Sequence, residues 1–200
     1  MADQEEILST SQKYDASQYL HDRDMLVRDI NEVELQKIGD QYGVKHLSAT
    51  TFPTPPFPVK GYLYGEHSRF MVPLVVRLTK KPQSTPVQVW FLCDSGSPFT
   101  CLTVKTLEAF YGSGNIVNTS VVRKPCSSCG TLIGQENKAK LSNYEMKIQD
   151  QGVDVACQIA RSHYEQVNIL GVDAMRDLRL SIDVDWENET FMLIQKKFVI

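Results

Sequence analysis

The apolar positions along this chain change period near residue 59. Between Asp22 and Gly43 the spacing is helical: Leu35, Ile38 and Tyr42 fall at i, i+3 and i+7 on one face. Asn31 stands where an N-cap belongs, with Glu34 three residues on as its capping-box partner, and Gly43 supplies a helix stop. Residues 51–58, TFPTPPFP, then place four prolines in eight positions, which removes backbone donors and fixes an extended segment. Beyond it the period becomes two. Val72, Leu74, Val76 and Leu78 alternate through 70–79, with Pro73 pointing to an edge strand, and Val87, Val89, Phe91 and Cys93 alternate through 87–93. The two runs are joined by the polar turn 80–86, so a hairpin feeds directly into Asp94-Ser95-Gly96.

Further along, 104–110 has a short helical pattern, and 144–150 and 153–160 read as strands joined at Gln151-Gly152. VNIL at 167–170 reads as a buried strand ending at Gly171, followed by a helical turn or two over 172–178 with Met175 and Leu178 on one face. A last hairpin joins 180–186 to 191–195. The pattern predicts a mainly β domain over 61–200. Residues 1–50 form an N-terminal helical and frayed extension packing on the domain or on a partner, and 51–60 a proline-rich linker.

Composition narrows the function classes. A net charge of −3 gives no electrostatic reason to expect nucleic acid or an anionic membrane as partner. No apolar run is long enough to span a bilayer, and the acidic start MADQEEILSTSQKYD is unlike a secretory signal, so the expectation is a cytoplasmic protein with reduced thiols. The sequons at Asn118 and Asn188 then read as accidental. Cys126-Ser127-Ser128-Cys129 could be half a zinc site or a redox pair, but no second CxxC and no βαβ setting accompany it. It reads as two thiols on a loop, and neither a metal nor a cofactor is expected. No Gly-x-Ser-x-Gly elbow supports Ser95 or Ser97 as a nucleophile. A Cys157–His163 pair fails because Cys157 falls mid-strand, where a thiol behaves as a small hydrophobe.

The remaining chemistry is Asp94-Ser95-Gly96-Ser97. Taken alone, it is a carboxylate at a strand end, with a hydroxyl able to tie the turn and a glycine giving conformational freedom and room. Such a turn is common. Its flanks make it more specific. FLCDSGSPFTCL resembles the active-site segment of aspartic proteases, and VNILGVDAMRDLRLSID resembles the second retropepsin segment, with Ile169, Leu170, Gly171 and Asp173 in the aliphatic-aliphatic-Gly-x-Asp places. SIDVDWENETFML is similar to the tail of gypsy-type retrotransposon proteases and of ubiquitin-shuttle retropepsin-like proteins. The resemblance spans about residues 61–195.

The resemblance implies a retropepsin-like closed acid-protease half-barrel with one short C-terminal helix. Asp94, Ser95 and Gly96 would be catalytic, and Ile169, Leu170, Gly171 and Asp173 would support the site from beneath. Ser97 and a glycine-bearing flap would hold substrate, the flap falling within 116–141 with its tip between Pro125 and Gly134, and with Gly130, Thr131 and Gly134 as contacts. Asp173, Asp183 and Asp185 lack the Asp-Ser-Gly context, and Asp173 is expected to cap its helix. One Asp-Ser-Gly per chain then requires a homodimer, with polypeptide as substrate. Ser95 would link the two loops across the axis. The alternative is a catalytically silent dimerisation or peptide-binding module on the same fold.

Two departures from the family pattern stand out. Asp94 and Gly171 lie 77 positions apart, longer than in compact retroviral enzymes. Val172 and Pro98 occupy the places of a family ion pair, so dimer stability would have to come from elsewhere. Phe52-Pro53 and Phe57-Pro58 are aromatic-Pro bonds of the kind such proteases cut, which raises self-release of the N-terminal segment against the plainer reading of a spacer.

Overall fold

The computed structural model describes residues 29–112, 124–125, 132–133, 144–149, 152–160 and 164–196. Strands β1 (Val59–Tyr64), β2 (Arg69–Leu78), β3 (Val87–Cys93) and β4 (Cys101–Leu102) come first, after helix α1 (Glu32–Tyr42). Helix α2 (Val104–Tyr111) follows, then β5 (Lys124–Pro125), β6 (Leu132–Ile133), β7 (Tyr144–Ile148), β8 (Val155–Ile159) and β9 (Asn168–Leu170). Helix α3 (Val172–Asp177), β10 (Leu180–Asp185) and β11 (Thr190–Gln195) complete the order.

Nine strands form one sheet in the order β10-β11-β1-β2-β3-β9-β4-β8-β7, and a further pairing of β7 with β2 closes six of them into a barrel. The protein is mainly β, with few helices. Strand β2 makes closure possible because it is long enough for two partners on one side. Its start, Arg69–Met71, pairs with β1, and its end, Val76–Leu78, pairs with β7. Two contacts are parallel, β3 with β9 and β4 with β8, and the other pairings in the barrel are antiparallel. Strand β10 is left at the outer end of the β1-β11-β10 ribbon.

The period-two pattern translates directly into an interior. Val72, Leu74, Val76, Leu78, Val89, Phe91 and Leu170 all lie in the barrel core. The opposite face of β3 is covered as well: Trp90 and Leu92 join Met71, Val167 and Ile169 under Ile30, Leu35 and Ile38 of the α1 segment. Burying Leu35 and Ile38, both fully inaccessible, contributes about 1.5–3 kcal/mol each. Tyr42, on the same helix face, stacks on Tyr62 with centroids 3.7 Å apart.

Helix α1 ends as its sequence suggests, with Gly43 in the left-handed region. At its start Asn31 caps the Val33 and Glu34 amides, but the reciprocal half of the capping box is not made. Glu34 instead accepts from Lys37 and from the Tyr64 hydroxyl. The chain leaving the helix bridges to β3 at Ala49 and Val87. Residues 51–58 then run along the barrel. Phe57 is buried in the core, the Pro56 carbonyl accepts from Gln149, and the Phe52 ring lies 5.1 Å from the Arg77 guanidinium. At Phe57-Pro58 the aromatic side chain is thus withdrawn into the core, while Pro58 is exposed.

Pro73 does not mark an edge. It sits in the middle of β2, opposite Trp90 of β3. The strand tolerates it because its other side is vacant there, between the last residue paired to β1 and the first paired to β7. The next amide facing that gap, Val75, is satisfied by the Gln149 side chain at 2.9 Å.

Strand β1 escapes the period-two reading because an inward position holds Gly61, where a Cβ would overlap the Phe191 ring. Gly61→Ala is expected to destabilise the fold by about 1–3 kcal/mol through overpacking. Part of this should return in the Gly61→Ala, Phe191→Leu double variant, measured by urea denaturation.

Candidate active site

Strand β3 delivers Asp94 to the open end of the barrel. The Asp94 amide donates to the Leu170 carbonyl at 3.1 Å, which extends the parallel pairing of Cys93 with Leu170 by one residue. The chain then turns sharply. Asp94 Oδ1 accepts the Gly96 amide at 2.8 Å, and the Asp94 carbonyl accepts the Ser97 amide at 3.1 Å. At Gly96 space matters more than backbone freedom: its φ is not in the left-handed region, and a Cβ would stand 3.1 Å from Asp94 Oδ1, so the carboxylate would have to give by a few tenths of an ångström. Asp94 is half-buried, and Ser95 and Gly96 are exposed. The turn is tied by Asp94 and Ser97, not by Ser95. The Ser97 hydroxyl donates to the Phe99 carbonyl at 2.9 Å.

Beneath the turn, β9 and the start of α3 cross the outgoing chain at close quarters. A Cβ on Gly171 would overlap the Phe99 carbonyl and come within 2.9 Å of the Thr100 amide. The Val172 amide donates to the Ser97 carbonyl at 2.9 Å, and the Gly171 amide to Thr100 Oγ1 at 3.1 Å. Asp173 does not cap α3. Gly171 occupies the cap position, and Asp173 lies two residues further on, in the first turn. Its carboxylate is a brace: Oδ1 accepts the Thr100 hydroxyl at 2.6 Å and the Ala174 amide at 2.7 Å, and Oδ2 accepts the Thr100 amide at 3.1 Å. Ile169 and Leu170 are buried on opposite sides of β9, Ile169 beneath α1 and Leu170 in the barrel.

Three further residues hold this corner. Thr100 is fully buried. Asn168, also fully buried, accepts the Thr103 amide at 2.9 Å and donates to the Trp90 carbonyl at 3.2 Å, so it joins β9, β3 and the start of α2. The sequence carried a usable signal for Asn168, since an amide inside the buried strand VNIL must find partners. Thr100 and Thr103 carried none, because their partners are remote in sequence.

A shallow cavity of about 330 Å³ opens beside the turn, bounded by Ser95, Val172, Met175, Leu180 and the cationic Arg176, Arg179 and Lys196. Phe99 and Val172, at 52% and 44% exposure, leave an apolar rim at the loop. The neighbouring thiols are poor nucleophiles. Burial, then the charge of Asp94, pushes the Cys93 thiol up to about 12, and burial also raises Cys101 and Cys157. Among the described residues, no three His, Cys, Asp or Glu side chains could hold a metal ion, and no helix is long and apolar enough to cross a membrane.

Gly130, Thr131, Gly134, Cys126, Cys129 and His163 lie outside the described residues. Of the expected flap, β5 and β6 are described. They pair antiparallel, Lys124 with Ile133 and Pro125 with Leu132. Compared with known proteins, the chain matches no family model and no curated protein. What fold and site define together is a mainly β protein with a closed six-stranded barrel and an exposed Asp-Ser-Gly turn, braced from below.

Asp173→Ala is expected to lower stability by about 1–3 kcal/mol, since it leaves the buried Thr100 hydroxyl and amide without an acceptor. Asp173→Asn should recover part of the loss, its single oxygen replacing one acceptor. Chemical denaturation of both variants measures the difference.

Proposed function

We propose that this chain is a retropepsin-like aspartic endopeptidase that works as a homodimer, with Asp94 of each copy facing one water. The observation that carries the reading is the crossing under the turn. A half-buried carboxylate at a strand end is fixed by Leu170 and Gly171 of a second, parallel-paired strand, with Asp-Ser-Gly and Leu-Gly-x-Asp meeting at one corner.

The chemistry follows from having two such groups. Facing carboxylates share one proton, because two charges in close contact are costly. The ionised Asp94 takes a proton from water as its oxygen attacks the scissile carbonyl carbon. The protonated Asp94 gives its proton to the carbonyl oxygen, forming a neutral gem-diol. Collapse of the diol with proton transfer to the amide nitrogen breaks the C–N bond and releases acid and amine. Within one chain, Asp173 is not available as the second acid, since both its oxygens are held by Thr100 and Ala174. A second copy fits the apolar rim of Phe99 and Val172, which stays wet in the single chain. On this reading Ser95, exposed beside Asp94, links the two loops.

Asp94→Asn is the direct test. Asparagine keeps an oxygen to accept the Gly96 amide, so the fold should survive within about 0.5 kcal/mol. Cleavage of a peptide library at acidic pH should fall by at least about 10²- to 10⁴-fold. If wild type and variant are equally inert, the enzyme reading fails and a silent dimerisation or peptide-binding module remains.

The rim gives an independent check. Sedimentation should report a dimer, and Val172→Asp should yield a folded monomer without peptidase activity. A fully active monomer of the wild-type chain would contradict the shared site.

A further inference from the structure

The seam between α1 and the barrel buries one imidazole. His46 is 2% exposed and lies against Trp90, a member of the buried layer beneath α1. Its Nδ1 accepts the backbone amide of Trp90 at 3.1 Å. That nitrogen therefore carries no proton, and the neutral ring carries its proton on Nε2. Nε2 has no hydrogen-bond partner. The nearest carboxylate oxygen, Glu32 Oε2, is 4.0 Å away, too far for a hydrogen bond.

The groups facing this ring come from three elements. Glu32 lies in the first turn of α1 and is itself buried, its Oε1 accepting the Thr103 hydroxyl at 3.0 Å. Lys105, in the first turn of α2, adds a positive charge felt by both His46 and Glu32. The Trp90 amide belongs to β3. A second proton on the ring has one place to go, Nδ1, and there it would meet the Trp90 N–H, donor against donor. The seated geometry admits only the neutral imidazole.

We propose that the α1 seam is a proton-operated latch, closed while His46 is neutral and released when its Nδ1 is protonated. Release would uncover Trp90, Leu92 and Ile169 on the outer face of β3 and β9, the strands whose ends carry Asp94 and Gly171. The latch does not depend on the protease reading.

The direction of the pH effect follows from the two buried groups. Burial, then Lys105, lowers the His46 pKa from its ordinary 6.5 to about 4. The closed seam is thus fully favoured above 6.5 and loses ground as pH falls from there towards 4. Glu32 acts in the opposite sense: burial raises its pKa, so its protonation removes a buried charge and favours closure at low pH. The latch therefore belongs to His46, with Glu32 damping it.

Amide hydrogen exchange of Leu35 and Ile38 in the full chain, corrected for intrinsic rates and referred to Leu74 in the barrel, reads the opening. For the His46 proton alone, the opening constant should rise on the order of 20-fold between pH 7 and pH 5, with Leu74 unchanged. His46→Asn keeps an acceptor for the Trp90 amide but does not titrate, and should abolish the rise. Glu32→Gln should show at least the wild-type rise. A wild-type opening constant that is flat over this range, or an equal rise in His46→Asn, overturns the proposal. Should His46→Asn fail to fold, the NMR titration of the wild-type imidazole decides. A midpoint near 4 supports the latch, and an unperturbed one near 6.5 overturns it.

Discussion

Everything at the open end of the barrel depends on a crossing with no room to spare. The chain leaving the Asp94 turn passes over Gly171 so closely that its Phe99 carbonyl fills the space a side chain would need. Such contact brings backbone polar groups together away from water, and each must be matched. Thr100 and Asp173 perform the matching. The threonine hydroxyl accepts from Gly171 and donates to the carboxylate, and the carboxylate also takes the Thr100 and Ala174 amides. The brace fixes the position of β9 relative to β3, and through the Leu170 carbonyl it fixes Asp94. The orientation of the Asp94 carboxylate is therefore set by the fold rather than by its own flexible bonds alone.

The same economy appears one layer back. Strand β3 is buried on both faces, Val89 and Phe91 towards the barrel and Trp90 and Leu92 towards α1. Asn168 ties the Trp90 carbonyl to the start of α2, whose cap residue Thr103 reaches Glu32 of α1. Helix α1 is thereby connected to the site's supporting strands by polar contacts as well as by packing.

Much of this was legible in the sequence, and the failures have physical reasons. Alternating residues announced β2 and β3, and the burial of Val72, Leu74, Phe91 and Cys93 follows from that period. Asp94, Gly171 and Asp173 were found because their neighbours resemble a known pattern, and the structure brings all three to one corner. The role of Asp173 was misjudged: an acid near a helix start suggests a cap, and only the fold supplies Thr100 as its partner. Strand β1 was lost because Gly61 gives way to Phe191, and β4, two residues long, offers no period. Pro73 misled for a subtler reason. Proline forbids a donor, not a central position, and a long strand with two successive partners has a gap where no donor is needed. His46 gave no signal, since a lone histidine after a helix is ordinary until its surroundings are known.

Among the described residues, the nine-stranded sheet ends at β10, and this margin is guarded. Strand β10 ends the ribbon and points Asp183 and Asp185 into solvent. Two such margins approaching each other would align like charges along their length, which discourages strand-to-strand joining between molecules. Edge-to-edge growth of this sheet into a continuous one is thereby disfavoured by the charges its outermost strand carries.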